Sequence, residues 1–128
     1  MRYTYTRLYA DDQGESHFAD IDVELTAVDF APPAPPLCLS PAMPASQFRF
    51  LGAAADWDGS IPHPSPSRQV FTTLSGTYRV TASDGTVRDF PAGAVLLLED
   101  TTGKGHSTRI VGGEPAFALV ARLPSEPR

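Results

Sequence analysis

Two of the three histidines lie in segments whose geometry could bring them together for chemistry. His63 lies among alternating prolines (segment 61–67, IPHPSPS), and prolines hold the backbone extended. This predicts that the side chains of His63 and Ser65 point to the same side. His106 begins a second strand-like segment, HSTRIV, much later in the chain. Because imidazoles titrate near neutral pH, the two histidines could serve as a general base and a general acid.

Two polar side chains are expected to complete this site. If a strand begins at Gln69, its amide shares a face with Phe71 and can lie beside His63. Gln69 and Ser65 could then orient a carbonyl group or a developing oxyanion by hydrogen bonding. In this arrangement His63 is the expected base and His106 the expected acid.

Further candidates lie around these residues. Four aromatic residues are predicted to shape the cavity wall, although aromatic residues at strand spacing are also typical core residues: Trp57, Phe71, Tyr78 and Phe117. In the loop 99–105, Lys104 and Asp100 could position a substrate, or Asp100 could cap a β-turn. Glu99 or Asp100 could also orient one of the histidines.

The elements that position these residues are predicted to be β-strands. Thirteen prolines and ten glycines disfavour long helices, and the apolar residues alternate with period two. Segments 69–74, 77–81 and 86–90 are expected to form a three-stranded meander. The continuously apolar segment 94–98 is expected to be a central strand, buried on both faces. The other predicted strands cover 21–27, 48–50, 106–111 and 116–123, so the chain is predicted to be an all-β sandwich, barrel or jelly roll.

The length of 128 residues predicts a single domain spanning 1–128. Within it, we expect an N-terminal strand region at 1–30 and a barrel core at 47–123. The intervening segment 31–46 contains six prolines and is predicted to be an extended arm. That arm is either a passive surface connection, a contact to a partner subunit or a lid over a cavity.

Composition excludes several classes of partner. The net charge is −5 and no segment collects Lys or Arg, so nucleic acid is not an expected partner. The strictly apolar segments, such as 94–98, are far shorter than the roughly 20 residues that cross a bilayer. The single cysteine, Cys38, cannot form an internal disulfide, and no export signal is recognised at Met1, so a cytoplasmic location is expected.

The spacing of the candidate residues resembles the two sequence motifs of the cupin family. The first motif has two histidines one residue apart, a Glu four residues later and a Gly seven residues after that. His63, Ser65, Gln69 and Gly76 stand at these positions, with Ser in place of the second His and Gln in place of the Glu. The second motif ends in Gly-x-x-His, which is similar to the segment from Gly103 to His106.

The resemblance implies a cupin fold, which is a double-stranded β-helix or jelly-roll barrel. In metal-binding cupins the corresponding residues hold Fe, Mn, Ni, Zn or a similar ion, which would place a metal on His63, Gln69 and His106. Because a hydroxyl and an amide are poor ligands for such ions, we expect no cofactor, with a divalent transition metal as the alternative.

The expected function is therefore an enzyme that acts on a small carbonyl or hydroxyl compound by acid/base chemistry, in the isomerase, lyase, dehydratase or cyclase range. Two alternatives stay open: a metal-dependent cupin such as a dioxygenase, and a non-catalytic protein that binds small molecules. The resemblance also implies a homodimer, in which strand 20–28 or the proline arm could pair with a partner's sheet edge.

Overall fold

The computed structural model describes residues 1–125, which form twelve strands and no α-helix. Within this part of the chain, no helix is therefore long and apolar enough to cross a membrane. The strands are β1 (Arg2–Ala10), β2 (Ser16–Glu24), β3 (Thr26–Val28), β4 (Leu37–Leu39), β5 (Gln47–Ala53), β6 (Asp58–His63), β7 (Gln69–Ser75), β8 (Thr77–Ala82), β9 (Val87–Pro91), β10 (Val95–Glu99), β11 (His106–Val111) and β12 (Ala116–Arg122).

Eight consecutive strands, β5 to β12, form two facing sheets. One sheet contains the order β10-β7-β12-β5, and the other has the order β6-β11-β8-β9. Consecutive strands alternate between the two sheets except for β8 and β9, which pair with each other, and this is the strand order of a jelly roll. The predicted all-β jelly roll is thereby confirmed.

The expected meander of three strands is wrong in its pairing. β8 pairs with β9, but β7 pairs with β10 and β12 in the other sheet. The chain changes sheets at Gly76, whose φ is +74° and whose added Cβ would lie 2.7 Å from Cα of Ala116. The tight turn at this glycine therefore connects a strand of one sheet to a strand of the other, and the two strands that it joins do not pair.

The predicted central position of the apolar segment 94–98 is confirmed by β10. This strand lies between β1, which runs parallel to it, and the antiparallel β7. Leu96, Leu97 and Leu98 are all buried, as expected for a strand covered on both faces. The strand β1 was not predicted, and together with β2 it extends the larger sheet to six strands.

The proline arm does not form a wholly irregular segment. Leu37–Leu39 forms the short strand β4, which pairs with β3 and places the arm in a separate two-stranded sheet. No residue of segment 31–46 lines the large cavity described below. The arm therefore lies outside the cavity wall in this structure.

The core fills the space between the two facing sheets. Its buried residues come from both sheets and include Leu8, Tyr78, Val80, Ala82, Phe90, Leu96, Leu98, Ile110, Ala116, Ala118 and Val120. The two aromatic residues of β5, Phe48 and Phe50, point away from this core and are exposed. At one end the core opens into a cavity.

Candidate functional site

A cavity of about 340 Å³ lies between the two sheets. Its wall is mostly apolar, while Ser65, Gln69, Thr108 and both candidate histidines contribute polar groups. Trp57 and His63 are exposed residues of this wall, whereas Tyr78 and His106 are buried residues of it. A concave, mostly apolar site with a few polar groups is typical of small-molecule binding.

His63 and His106 meet at this cavity because their strands pair. The two residues are directly opposite each other in the antiparallel pair β6–β11, so their side chains leave the sheet on the same side. Their ring centroids are 5.3 Å apart and the ring planes are inclined by 50°. The structure thus brings together two imidazoles that are 43 positions apart in the sequence (106 − 63).

Gly105 permits the close approach of the two strand ends. Its φ is +73°, and a Cβ at this position would lie 2.1 Å from the carbonyl carbon of His63. No other amino acid could therefore occupy this position without moving the His63 backbone. Because Gly105 directly precedes His106, its backbone conformation also helps to set the position of His106 at the site.

The imidazole of His106 is oriented by a buried carboxylate. Nδ1 of His106 lies 2.5 Å from Oδ2 of Asp100, whose side chain has no solvent exposure. When Asp100 is ionised, Nδ1 of His106 carries a hydrogen and donates a hydrogen bond to the carboxylate. This leaves Nε2 of His106 to face a ligand, and it is the arrangement that stabilises an imidazolium when Nε2 accepts a proton.

The ring of His63 is oriented by the backbone. Its Nδ1 lies 2.8 Å from the carbonyl oxygen of Pro64, which can only accept a hydrogen bond. Nδ1 of His63 is therefore the donor in this contact, and Nε2 is again the nitrogen left for a ligand. The side chain is exposed at the cavity mouth, in contrast to the buried His106.

Gln69 and Ser65 form a short hydrogen-bonded chain beside the histidines. Nε2 of Gln69 donates to Oγ of Ser65 at 3.1 Å, and Oγ of Ser65 donates to the carbonyl oxygen of Ser67 at 2.7 Å. Because the amide nitrogen is used in this way, the carbonyl oxygen of Gln69 is the atom that can accept from a ligand. Both residues line the cavity, as the sequence predicted.

Asp100 and its neighbour Glu99 have different roles. The two carboxylate oxygens of Glu99 accept from Nε of Arg7 and Nε of Arg68, each at 2.5 Å. Consecutive residues at the end of a strand point to opposite sides, so Asp100 alone reaches His106. Asp100 does not line the cavity and acts on the site through His106.

Lys104 does not line the cavity, contrary to the sequence-based expectation. Its ammonium group lies 2.9 Å from the carboxylate of Glu15 and is largely exposed. The Glu15 carboxylate raises the pKa of Lys104, and the Lys104 ammonium and the Ser83 hydroxyl together lower the pKa of Glu15. This pair ties the loop before His106 to the β1–β2 turn instead of binding a ligand.

Trp57, Phe71 and Tyr78 line the cavity. Phe117, which was expected with them, does not line the cavity and is exposed. Gly59 leaves room for the Trp57 ring, since a Cβ there would lie 2.3 Å from the indole. Sequence reasoning missed most of the apolar wall, for which the only available signal was strand parity. These residues are Leu51, Val80, Phe90, Leu96, Leu98 and Val120.

The side chains at the positions where a metal was considered do not form a transition-metal ligand set. They supply two imidazoles, one hydroxyl and one amide, and no carboxylate of residues 1–125 lines the cavity. Within residues 1–125, no three His, Cys, Asp or Glu side chains are grouped to hold a metal ion. Without a negative ligand to offset the charge of a divalent ion in this apolar site, the residues present do not fit such an ion.

Comparisons with known proteins show a distant likeness in structure. No protein-family model matches the sequence, and no curated protein matches it. One similar solved structure is the crystal structure of a proposed ethanolamine utilization protein Q from Salmonella typhimurium LT2. The two chains are 15% identical, the match covers 98% of this chain and 99% of that chain, and the TM-score is 0.42. At this level of similarity the jelly-roll assignment depends on the strand order alone.

Proposed function

We propose that the protein is an enzyme that transfers a proton within a small carbonyl or hydroxyl compound. The observation that carries this proposal is the position of His106, which lies at the cavity with Nδ1 bound to the buried Asp100 and with His63 beside it. A carboxylate that holds one imidazole nitrogen leaves the other nitrogen as a base and stabilises the resulting cation.

The geometry favours His106 as the base and His63 as the acid, which reverses the assignment made from sequence. Asp100 offsets the positive charge that His106 acquires when it removes a proton from carbon or oxygen. Among residues 1–125 no carboxylate pairs with His63, whose Nδ1 donates a hydrogen bond to a backbone carbonyl, so its Nε2 can return a proton to the substrate. Its exposed position also allows exchange of that proton with solvent.

Gln69, Ser65 and the apolar wall are proposed to hold the substrate. The amide oxygen of Gln69 can accept a hydrogen bond from a hydroxyl group of the ligand. The Ser65 hydroxyl keeps the amide in one orientation by accepting from its nitrogen. The apolar lining excludes water, which strengthens electrostatic interactions within the site. This arrangement suits proton transfer next to a carbonyl, as in isomerases, lyases and dehydratases.

The test is deuterium exchange into small carbonyl compounds. Acetophenone, cyclohexanone, 1,4-diacetylbenzene and dihydroxyacetone are incubated with protein in D₂O near neutral pD, and loss of the α-proton signals is followed by ¹H NMR. We expect at least one compound to exchange faster with the parent protein than with His106→Asn, whose amide can still donate to Asp100. Exchange at the buffer rate for all four compounds would contradict the proposal.

A second candidate is a non-catalytic protein that binds small molecules, and the mostly apolar lining favours it. The same experiment separates the two. Binding of these compounds without exchange, unaffected by replacing His63 or His106, would favour the binding protein.

A further inference from the structure

Two arginines without a carboxylate partner lie beside the cavity. Arg49 on β5 and Arg122 on β12 are exposed, and within residues 1–125 neither side chain forms an ion pair or a hydrogen bond. Most cationic side chains in the same part of the chain do pair with a carboxylate, namely Arg2, Arg7, Arg68, Arg79, Arg88 and Lys104. The guanidinium groups of Arg49 and Arg122 are therefore available to an anion from solution.

Strand pairing places both arginines on the face of the sheet that lines the cavity. Arg122 is opposite Gln69 in the β7–β12 pair, and Arg49 is opposite Val120 in the β5–β12 pair. Directly opposite residues leave a sheet on the same side, and both Gln69 and Val120 line the cavity. Arg49 and Arg122 are diagonal neighbours, which places them about 7–8 Å apart at the backbone. Their long side chains can therefore contact one small ligand group together.

The two arginines line a groove of about 360 Å³ that adjoins the cavity. The groove and the cavity share part of their walls, and the shared residues are Leu51, Pro66, Gln69 and Val120. No Asp or Glu of residues 1–125 lines the groove. A ligand can therefore lie with one end in the groove and the other end in the cavity, with Gln69 beside both ends.

The charges at this groove favour an anionic group. Two guanidinium groups at this spacing repel each other, and a bound anion would offset both charges. The planar guanidinium of arginine matches the oxygens of a carboxylate or phosphate and can donate two parallel hydrogen bonds to them. The net charge of the whole chain is −5, so an anion is attracted by this local pair of charges and not by the protein as a whole.

We infer that Arg49 and Arg122 bind an acid group of the substrate, a carboxylate or a phosphate, while its carbonyl or hydroxyl group lies in the cavity near His106. The substrate class is then a small oxo or hydroxy compound that carries an anionic group at its other end. This inference rests on the proposed function for the reactive end only, because the two arginines concern binding alone.

The test uses three probes that share one acetyl group. 1,4-Diacetylbenzene is neutral, 4-acetylbenzoate has nearly the same shape with a carboxylate in place of one acetyl group, and 4-acetylphenyl phosphate carries a phosphate there. Affinities are measured by isothermal titration calorimetry. We expect the parent protein to bind at least one anion about tenfold more tightly than the diketone, since charge-assisted hydrogen bonds are the strong ones. The anion with the larger affinity ratio identifies the acid group.

The double variant Arg49→Gln/Arg122→Gln is expected to lower this ratio to about one, through weaker binding of the anion with unchanged binding of the diketone. Arg2→Gln/Arg109→Gln is the matched control, because it removes two exposed arginines that line neither the groove nor the cavity. This control has the same net charge as the double variant and should keep the parent ratio.

Three results would overturn the inference. These are a parent protein that binds neither anion more tightly than the diketone, a ratio that Arg49→Gln/Arg122→Gln leaves unchanged, and a ratio that the control variant lowers equally. The last result would mean that the anions respond to net charge and not to the groove.

The two proposals fail in different ways. If His106→Asn and the parent protein exchange protons equally slowly while the affinity ratio depends on Arg49 and Arg122, the proton-transfer function is wrong and the anion site stands. If exchange depends on His106 while the ratio is insensitive to the two arginines, the reverse holds.

Discussion

Nδ1 of His106 and Oδ2 of Asp100 lie 2.5 Å apart, and Asp100 is completely buried. The other oxygen of this carboxylate, Oδ1, has no hydrogen-bond partner among the described residues. Burying a carboxylate that has a single hydrogen-bond partner lowers the stability of the folded protein. We therefore expect Asp100 to be buried for its effect on the proposed base, His106. The first prediction tests this role.

Asp100→Asn is expected to lower the rate of α-proton exchange about 100-fold, which is the lower end of what general acid–base catalysis contributes. The Asn carbonyl can still accept from Nδ1 of His106, so the ring keeps its orientation while the charge that stabilises the imidazolium is lost. The measurement is the initial exchange rate of the fastest probe compound by ¹H NMR. Asp89→Asn, which removes a carboxylate exposed on β9, is the control and should retain the parent rate. A parent-like rate in Asp100→Asn would show that the carboxylate has no catalytic role.

The next prediction concerns Tyr78, which is buried and whose hydroxyl has no hydrogen-bond partner among residues 1–125. Removing it in Tyr78→Phe relieves a buried unpaired polar group, so the free energy of unfolding is expected to rise by about 1 kcal/mol or stay unchanged. For a domain of this size, 1 kcal/mol corresponds to about 4 °C in Tm. Differential scanning calorimetry of the ligand-free proteins measures this shift. A marked fall in Tm would mean that the hydroxyl already has a stabilising partner in the free protein.

A buried serine connects the N-terminal hairpin to the loop before His106. Oγ of Ser16 donates to the carbonyl oxygen of Gly105 and accepts from the backbone N–H of Ser83, both at 2.7 Å. Ser16→Ala leaves both backbone groups without this partner, so we expect a loss of about 2 kcal/mol in the free energy of unfolding. Urea denaturation provides the measurement, and Ser46→Ala, at an exposed serine, should change it little. Equal stability of the two variants would contradict the proposed connection.

His17 is predicted to make stability depend on pH near neutrality. Hydrogen bonds to Asp11 and to Asp84, at 2.7 Å and 2.9 Å, raise the pKa of His17 above its usual value of 6.5. The folded state therefore binds this proton more tightly than the unfolded state. The resulting stabilisation is fully present below about pH 6.5 and is lost as the pH rises through the pKa of the folded protein.

The measurement compares urea denaturation of the parent protein and His17→Gln between pH 5.5 and pH 8.5, that is, about one unit below and two units above the usual histidine pKa. The difference in stability between the two proteins should be largest at the acidic end and shrink toward the alkaline end. Asp84→Asn, which removes one of the two carboxylates, should show a smaller change with pH than the parent protein. A stability difference that is constant across this pH range would exclude a raised pKa for His17.

The sequence predicted those parts of the fold in which one face of a strand is apolar. β7 to β12 each show a clear apolar pattern, and the parity argument placed Gln69 and Phe71 on the cavity face. The strand β1 was missed because arginine, threonine and tyrosine alternate along it, and only Leu8 is fully buried. Its position depends on the parallel pairing with β10, which is a long-range contact that no local pattern shows.

The site was predictable in its residues but not in its partnerships. The spacing identified His63 and His106, whereas the choice between Glu99 and Asp100 depends on where β10 ends and which side each carboxylate faces. Arg7, which lies on the unpredicted β1, donates a hydrogen bond to the carboxylate of Glu99. Lys104 was misplaced for a related reason, because its partner Glu15 lies in the turn that follows the same strand.

The last prediction concerns the oligomeric state, for which a homodimer is expected. Phe48 and Phe50 on β5 are 65% and 73% exposed, and their rings contact each other edge-on with centroids 6.2 Å apart. Phe117 on the neighbouring β12 is also half exposed. Since β5 is the last strand of its sheet, this apolar surface continues to a free strand edge. Such a surface is typical of a protein interface.

Sedimentation velocity over a range of protein concentrations tests this. The parent protein is expected to be a dimer, and Phe50→Glu is expected to weaken the association at least about tenfold, because it places a charge in an apolar interface. Val87→Glu, at an exposed apolar residue of β9 in the other sheet, is the matched control and should remain dimeric. A parent protein that stays monomeric at every concentration would remove the predicted dimer. If Phe50→Glu leaves the dimer intact, the interface lies on another surface. The next candidate is then β2, because one edge of this nine-residue strand is unpaired in the sheet that the structure describes.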